Sequence, residues 1–144
     1  MEIKELKEAT EAELTDINSL LRQLVHDPST YAPISLETLQ KIVSDADIAV
    51  VAAREGGKIV GIGFLYIVIK PRGHYAYLED MMVDGEQQGK GIGEAIGRQL
   101  IASAKKRGVG TIELSARPSR VAANKLYQKL GFEHKDTNVY RMKL

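Results

Sequence analysis

VDGEQQGKGIG, residues 83–93, places four glycines within nine positions, Gly85 to Gly93. An apolar run that reads as a strand leads into it, and a run with helical spacing follows. A helix start exposes main-chain N–H groups that have no partner inside the helix and carries a partial positive charge. Glycine lets the backbone turn sharply there and lets a ligand approach without meeting a Cβ. Together these features make an anion site. Lys90 adds a positive charge, so the natural guest is a phosphate or a pyrophosphate. A turn that merely caps a helix is the plain alternative. The alternate placing of Gly89, Gly91 and Gly93 around a lysine favours the phosphate.

Two familiar phosphate loops fit this spacing poorly. A Walker A loop needs four residues between its first glycine and the Gly-Lys pair, followed by Ser or Thr. Here three residues separate Gly85 from Gly89, and Gly91 follows Lys90. The dinucleotide fingerprint needs Gly-x-Gly-x-x-Gly. Its third glycine falls on Ile96 or on Glu94, depending on where counting begins.

Outward from the loop, the chain reads as follows. Glu2 to Glu8 is a short first strand. Leu14, Ile17, Leu20, Leu21 and Leu24 give one apolar helical face over Glu11 to Val25. Residues 26–33, with two prolines, are a loop, and Ser35 caps a second helix. Three runs, 47–55, 59–70 and 74–84, are separated by Gly56-Gly57 and by Pro71-Arg72-Gly73 and form an antiparallel meander. Behind the glycines, Ile92, Ala95, Ile96, Leu100 and Ala104 mark a third helix, which ends at Lys105, Lys106, Arg107 and Gly108. Thr111 to Ala116 alternates as a strand, so a strand–helix–strand crossover joins two parallel strands. Ser119 is placed to cap a last helix that stops at Gly131. Phe132 to Leu144 supplies a closing strand or hairpin. The fold class is α+β, a mixed, mostly antiparallel sheet with one parallel crossover and helices on both faces.

The chain has 144 residues and a net charge of +1, which suits one domain over 1–144 and argues against a dedicated nucleic-acid binder. It has no cysteine and three scattered histidines, so no metal site is expected. The charged N-terminus and the lack of a long apolar run give the expectation of a soluble, cytoplasmic protein away from membranes.

QGKGIG, Gln88 to Gly93, resembles the Q/R-x-x-G-x-G/A motif of the GNAT family of N-acetyltransferases, and LYQKLGF, Leu126 to Phe132, resembles a later motif of that family. The order of elements between them is similar too. The resemblance covers Asp47 to the end and implies acetyl-CoA as co-substrate, without a metal. It implies that the amides of Gln88, Gly89, Lys90, Gly91, Ile92 and Gly93 hold the pyrophosphate. The main chain of the preceding strand, at Met81 and Val83, would pair with the pantetheine arm. It places Tyr127 as the acid that protonates the departing thiolate, and Glu79 as the candidate that takes the amine's proton, directly or through water. Read as a regular strand, Glu79 shares a face with Met81 and Val83, and Asp80 points away unless a bulge exchanges them. The family's usual asparagine, seven residues before the tyrosine, is Arg120 here. Asn124, one turn later, is the substitute candidate for the coenzyme arm. Arg117 and Arg120 either bind an anionic group or lie in water.

The reading is an acetyl-CoA-dependent transfer to a small-molecule or peptide amine by direct attack. Homodimerisation is an expectation of the resemblance alone. The rival readings are a non-catalytic acyl-CoA-binding module on the same fold and an enzyme that uses the loop for ATP or NAD.

Overall fold

A computed structural model describes all 144 residues. The elements in chain order are β1 (Glu2–Glu5), α1 (Glu11–Leu24), α2 (Leu36–Ser44), β2 (Ile48–Glu55), β3 (Lys58–Lys70), β4 (Gly73–Val83), α3 (Ile92–Lys106), β5 (Thr111–Glu113) and α4 (Val121–Lys129), with single 3₁₀ turns at Pro28–Thr30 and Gly85–Gln87. The sheet order is β1-β2-β3-β4-β5. Only the β4–β5 pair is parallel, so the expected α+β class and its single crossover hold. No helix is long and apolar enough to cross a membrane.

Apolar alternation along the strands feeds two cores. One face of the sheet packs Ile17, Leu20, Leu39, Ile62 and Phe64 under α1 and α2. The other packs Leu65, Leu78, Met81, Ile96, Leu100 and Tyr127 under α3 and α4. The predicted cap at Ser35 is present, its hydroxyl accepting from Thr38 N–H at 3.1 Å. At the last helix the position is shifted: Arg120, not Ser119, precedes α4.

Helix α3 lies close on β3 because β3 has two glycines beneath it. A Cβ on Gly61 would stand 2.8 Å from Ile96 Cδ1, and one on Gly63 would stand 2.8 Å from Leu100 Cδ1. Both isoleucine and leucine are fully buried, so neither has room to move aside. This contact fixes where α3 begins relative to β4.

Two expectations about the C-terminal part fail. β5 covers Thr111–Glu113 rather than running to Ala116. Residues 133–144 form no strand. The last main-chain bond of the chain runs from Phe132 N–H to Tyr127 C=O, and Val139, Tyr140, Met142 and Leu144 are exposed. Tyr140, Met142 and Leu144 alternate with polar residues, yet the tail makes no main-chain bond to the outer edge of β5. One ion pair, Lys135 to Glu113 at 2.8 Å, is what ties this segment to β5.

Candidate active site

Gly89 and Gly91 both have φ near +80°, at 78° and 79°, and a Cβ at either would meet nothing within 4 Å. The backbone there needs glycine for its conformation and presents it to open space. Gly91 is the cap of α3, and the first bond of the helix runs from Ala95 N–H to Gly91 C=O. The amides ahead of it, in and before the first turn, have no acceptor within the helix. Gly93 serves a different purpose from the one its spacing implied. It lies inside α3, and a Cβ there would come within 3.1 Å of Leu126 Cδ2 on α4. Its missing side chain admits a helix rather than a ligand. Lys90 Nζ donates to Gln87 Oε1 at 2.6 Å, and Gln88 Nε2 donates to Val83 C=O at 3.3 Å. Both side chains brace the turn.

The strand leading into this turn is irregular. Ile62 pairs with Met82, but Phe64 pairs with Glu79, so one extra residue stands in β4. That residue is Asp80, the one non-glycine residue with positive φ, at 50°. The bulge shifts the alternation by one. Glu79 therefore lies opposite Phe64 on the α1–α2 side, whereas Met81 belongs to the core under α3 and α4. The expectation that Glu79 and Met81 share a face is overturned by this extra residue.

Beyond the bulge the strand is regular again. Asp84 N–H donates to Val60 C=O at 2.9 Å. Residues 82 and 84 thus address β3, and the main-chain groups of Met81 and Val83 point to the opposite edge. The neighbour on that edge, β5, pairs with β4 only from Tyr75 to Tyr77. β5 ends at Glu113, so from Leu78 onward this edge of β4 has no strand partner, and the open edge is the candidate cleft.

Tyr127 stands on α4 beside the opening. Its residue is 5% exposed and its ring packs edge-on to Phe132 at 6.1 Å. Its hydroxyl lies beside the Arg120 guanidinium, the side chain that hydrogen-bonds toward it. Burial raises its pKa, Arg120 pulls it back, and Glu79 raises it slightly. The phenol is a proton donor at neutral pH. Arg120 and Tyr127 are seven residues apart, two helical turns, and so share a face. Arg120 is half-buried, with Nη2 3.5 Å from Met81 C=O. The sequence left Arg120 between binding an anionic group and lying in water; it is half-buried beside β4, on the face its seven-residue spacing from Tyr127 gives it. Asn124 uses Nδ2 to donate to the carbonyls of Arg117 and Arg120, at 3.0 and 2.9 Å. Only its oxygen is left for a ligand. Arg117 is exposed.

On the other side of the bulge the wall is acidic and aromatic. Burial raises Glu79, and the charge of Asp80 adds to it; burial also raises Asp80. Burial, with both carboxylates nearby, pushes the Tyr66 phenol up to about 12. Tyr31 comes from the loop after α1, with the Arg22 guanidinium 6.0 Å from its ring centroid. Asn18 holds this loop in place. Its Oδ1 accepts from Tyr31 Oη at 2.6 Å and from Ile34 N–H at 3.0 Å, and its Nδ2 donates to Ile34 C=O at 3.1 Å. No motif marks Asn18, Tyr31 or Tyr66, so the sequence offered no signal for them.

A model of the Acetyltransferase (GNAT) family matches residues 12–132. An N-acetylaspartate synthetase from Xenopus tropicalis is 37% identical over 82 residues, covering 54% of this chain and 28% of the relative. A ribosomal protein bS18 alanine N-acetyltransferase from Escherichia coli K12 is 36% identical over 78 residues, covering 54% of this chain and 50% of the relative. The chain thus spans half or less of the length of these two curated relatives. An aminoglycoside acetyltransferase from an uncultured soil metagenomic sample superposes with a TM-score of 0.85 at 20% identity, over 99% of this chain and 96% of that one. At that identity it speaks for the fold alone.

Proposed function

This chain belongs to the acetyltransferase (GNAT) family, and from that premise we propose that it transfers an acetyl group from acetyl-CoA to the nitrogen of a small-molecule or peptide amine. The observation that carries the reading is the joining of two features at one site: partnerless amides at the glycine turn, and a buried tyrosine whose hydroxyl lies beside Arg120.

In the proposed complex the amides of residues 88–93 hold the diphosphate of the coenzyme. The outward main-chain groups of Met81 and Val83 pair with the pantetheine arm, and the Asn124 oxygen accepts from it. The thioester then lies between Tyr127 and the bulge. The neutral amine attacks the carbonyl carbon, and the C=O pair moves to oxygen. When the carbonyl re-forms, the C–S bond breaks and the sulfur takes the Tyr127 proton. The amine nitrogen gives its proton to Glu79, directly or through water. Arg120 supports the phenolate until solvent returns the proton. Glu79 suits this role because its raised pKa makes it a better base than an ordinary carboxylate.

The two curated relatives are named for N-acetylaspartate and for an alanine of ribosomal protein bS18. The proposed acceptor is correspondingly an amine presented to the acidic, tyrosine-lined wall. Incubation with acetyl-CoA and an amine library, reading free thiol, tests the reading. Thiol release that depends on an amine is expected. Tight CoA binding with no release under any amine would favour the non-catalytic module.

A further inference from the structure

Asp84 raises a problem. It is a carboxylate a few residues ahead of a turn built for anions, where its charge would repel a diphosphate. Its contacts show how that charge is occupied. Oδ1 accepts from Glu86 N–H at 2.9 Å and so caps the 3₁₀ turn Gly85–Gln87. The Asp84 carbonyl accepts from Gln87 N–H at 2.9 Å. Oδ2 accepts from Gln23 Nε2 at 3.2 Å, and the same Gln23 amide, through Oε1, accepts from Gly85 N–H at 3.3 Å. One primary amide from the last turns of α1 thus clamps two consecutive residues of the turn that leads to Gly89 and Gly91.

A primary amide suits this place better than other side chains of its size. Its NH₂ group meets the Asp84 carboxylate while its oxygen meets the Gly85 N–H. A glutamate would lose the donor and repel Asp84. An alanine would leave both residues to water. The main chain between Val83 and Gly91 has no regular secondary structure besides the 3₁₀ turn. Its geometry therefore depends on such side-chain contacts.

We propose that Gln23 is a positioning residue for the coenzyme. Through Asp84 and Gly85 it fixes the turn so that the amides of residues 88–93 stand ready for the diphosphate. This rests on the coenzyme placement proposed above. Gln23 touches no reacting atom.

The test is calorimetric titration of the full chain with CoA and, separately, with pantetheine, which lacks the diphosphate. Gln23→Ala raises the CoA dissociation constant about five- to tenfold, the worth of one to two modest hydrogen bonds, and leaves pantetheine binding unchanged. The pair Gln23→Glu with Asp84→Asn restores CoA affinity to within twofold. In that pair the amide introduced at position 84 donates to the carboxylate introduced at position 23, which still accepts from Gly85 N–H. Asn18→Ala, which loosens α1 at a different contact, leaves CoA affinity unchanged. Equal CoA affinity in the Gln23→Ala and parent proteins overturns the inference. So does an equal loss on pantetheine or in Asn18→Ala, which would mean a general loosening of the helix. A parent protein that binds no CoA would instead remove the proposed function, so the two failures are distinct.

Discussion

The two ends of the cleft are made of different material. At the proposed coenzyme end the contacting groups are main-chain amides at Gln88 to Gly93, and the neighbouring side chains of Gln87, Gln88 and Lys90 bind back to the turn itself. At the proposed acceptor end the groups are side chains: Glu79 and Tyr66 from two strands, Asp80 from the bulge and Tyr31 from a loop. Amide contacts are the same for any residue, so only backbone shape constrains the first end. Side-chain contacts change with every substitution, so the second end is free to vary with the acceptor.

The sharpest break in that comparison lies at the point where the two ends meet. Tyr127→Phe removes the proton donor and keeps the ring packing. The turnover number should fall about 10²–10³-fold with CoA affinity unchanged. Equal turnover at saturation, with thiolate departure limiting, would remove Tyr127 from the chemistry. Next is the backbone. Gly91→Val forces a β-branched residue into positive φ at about 1–3 kcal/mol, so the KM for acetyl-CoA should rise about tenfold or more while the KM for the amine stays put. A rise in both would mean that the two ends are not separate.

The acid limb of the pH profile sharpens the acceptor end. Glu79 must be deprotonated to take a proton, and burial and Asp80 raise its pKa above 4.5. The acid limb of kcat/KM should therefore lie above the ordinary glutamate range, and Asp80→Asn, by removing a negative neighbour, should move it down. A limb unmoved by Asp80→Asn would break the coupling between the two carboxylates. The smallest expected effects are Gln88→Ala and Lys90→Ala. If main chain does the holding, each should change CoA affinity by less than about threefold, the scale of one exposed contact. A loss of a hundredfold in either would make the coenzyme end a side-chain site after all.

This division also governs how much was legible in the sequence. Glycine spacing, helix periodicity and the Ser35 cap are local, and from them came the sheet, the crossover and the turn at Gly89 and Gly91. The face of Glu79 was misread because a bulge is an extra residue in a ladder, and only the partner strand shows it: Ile62 pairs with Met82 and Phe64 with Glu79, so the step of two in β3 is a step of three in β4. Arg120 was visible as a position on the face of Tyr127, yet its half-burial depends on β4 lying beside it. Gln23 and Asn18 stand on an amphipathic helix with no mark on them; their roles come from partners thirteen to sixty-two positions away. The tail failed in the other direction. Tyr140, Met142 and Leu144 alternate, but alternation records what a segment would bury and not whether it docks, and the tail leaves the outer edge of β5 unpaired.

Every role proposed for the cleft depends on the amides at the start of α3 holding a diphosphate. Titration of ¹⁵N-labelled protein with CoA reads those amides one by one. The signals of Gly89, Gly91 and the residues between and just after them should move strongly downfield and saturate with CoA, while pantetheine leaves them in place. Saturable CoA binding with those signals unmoved would contradict it.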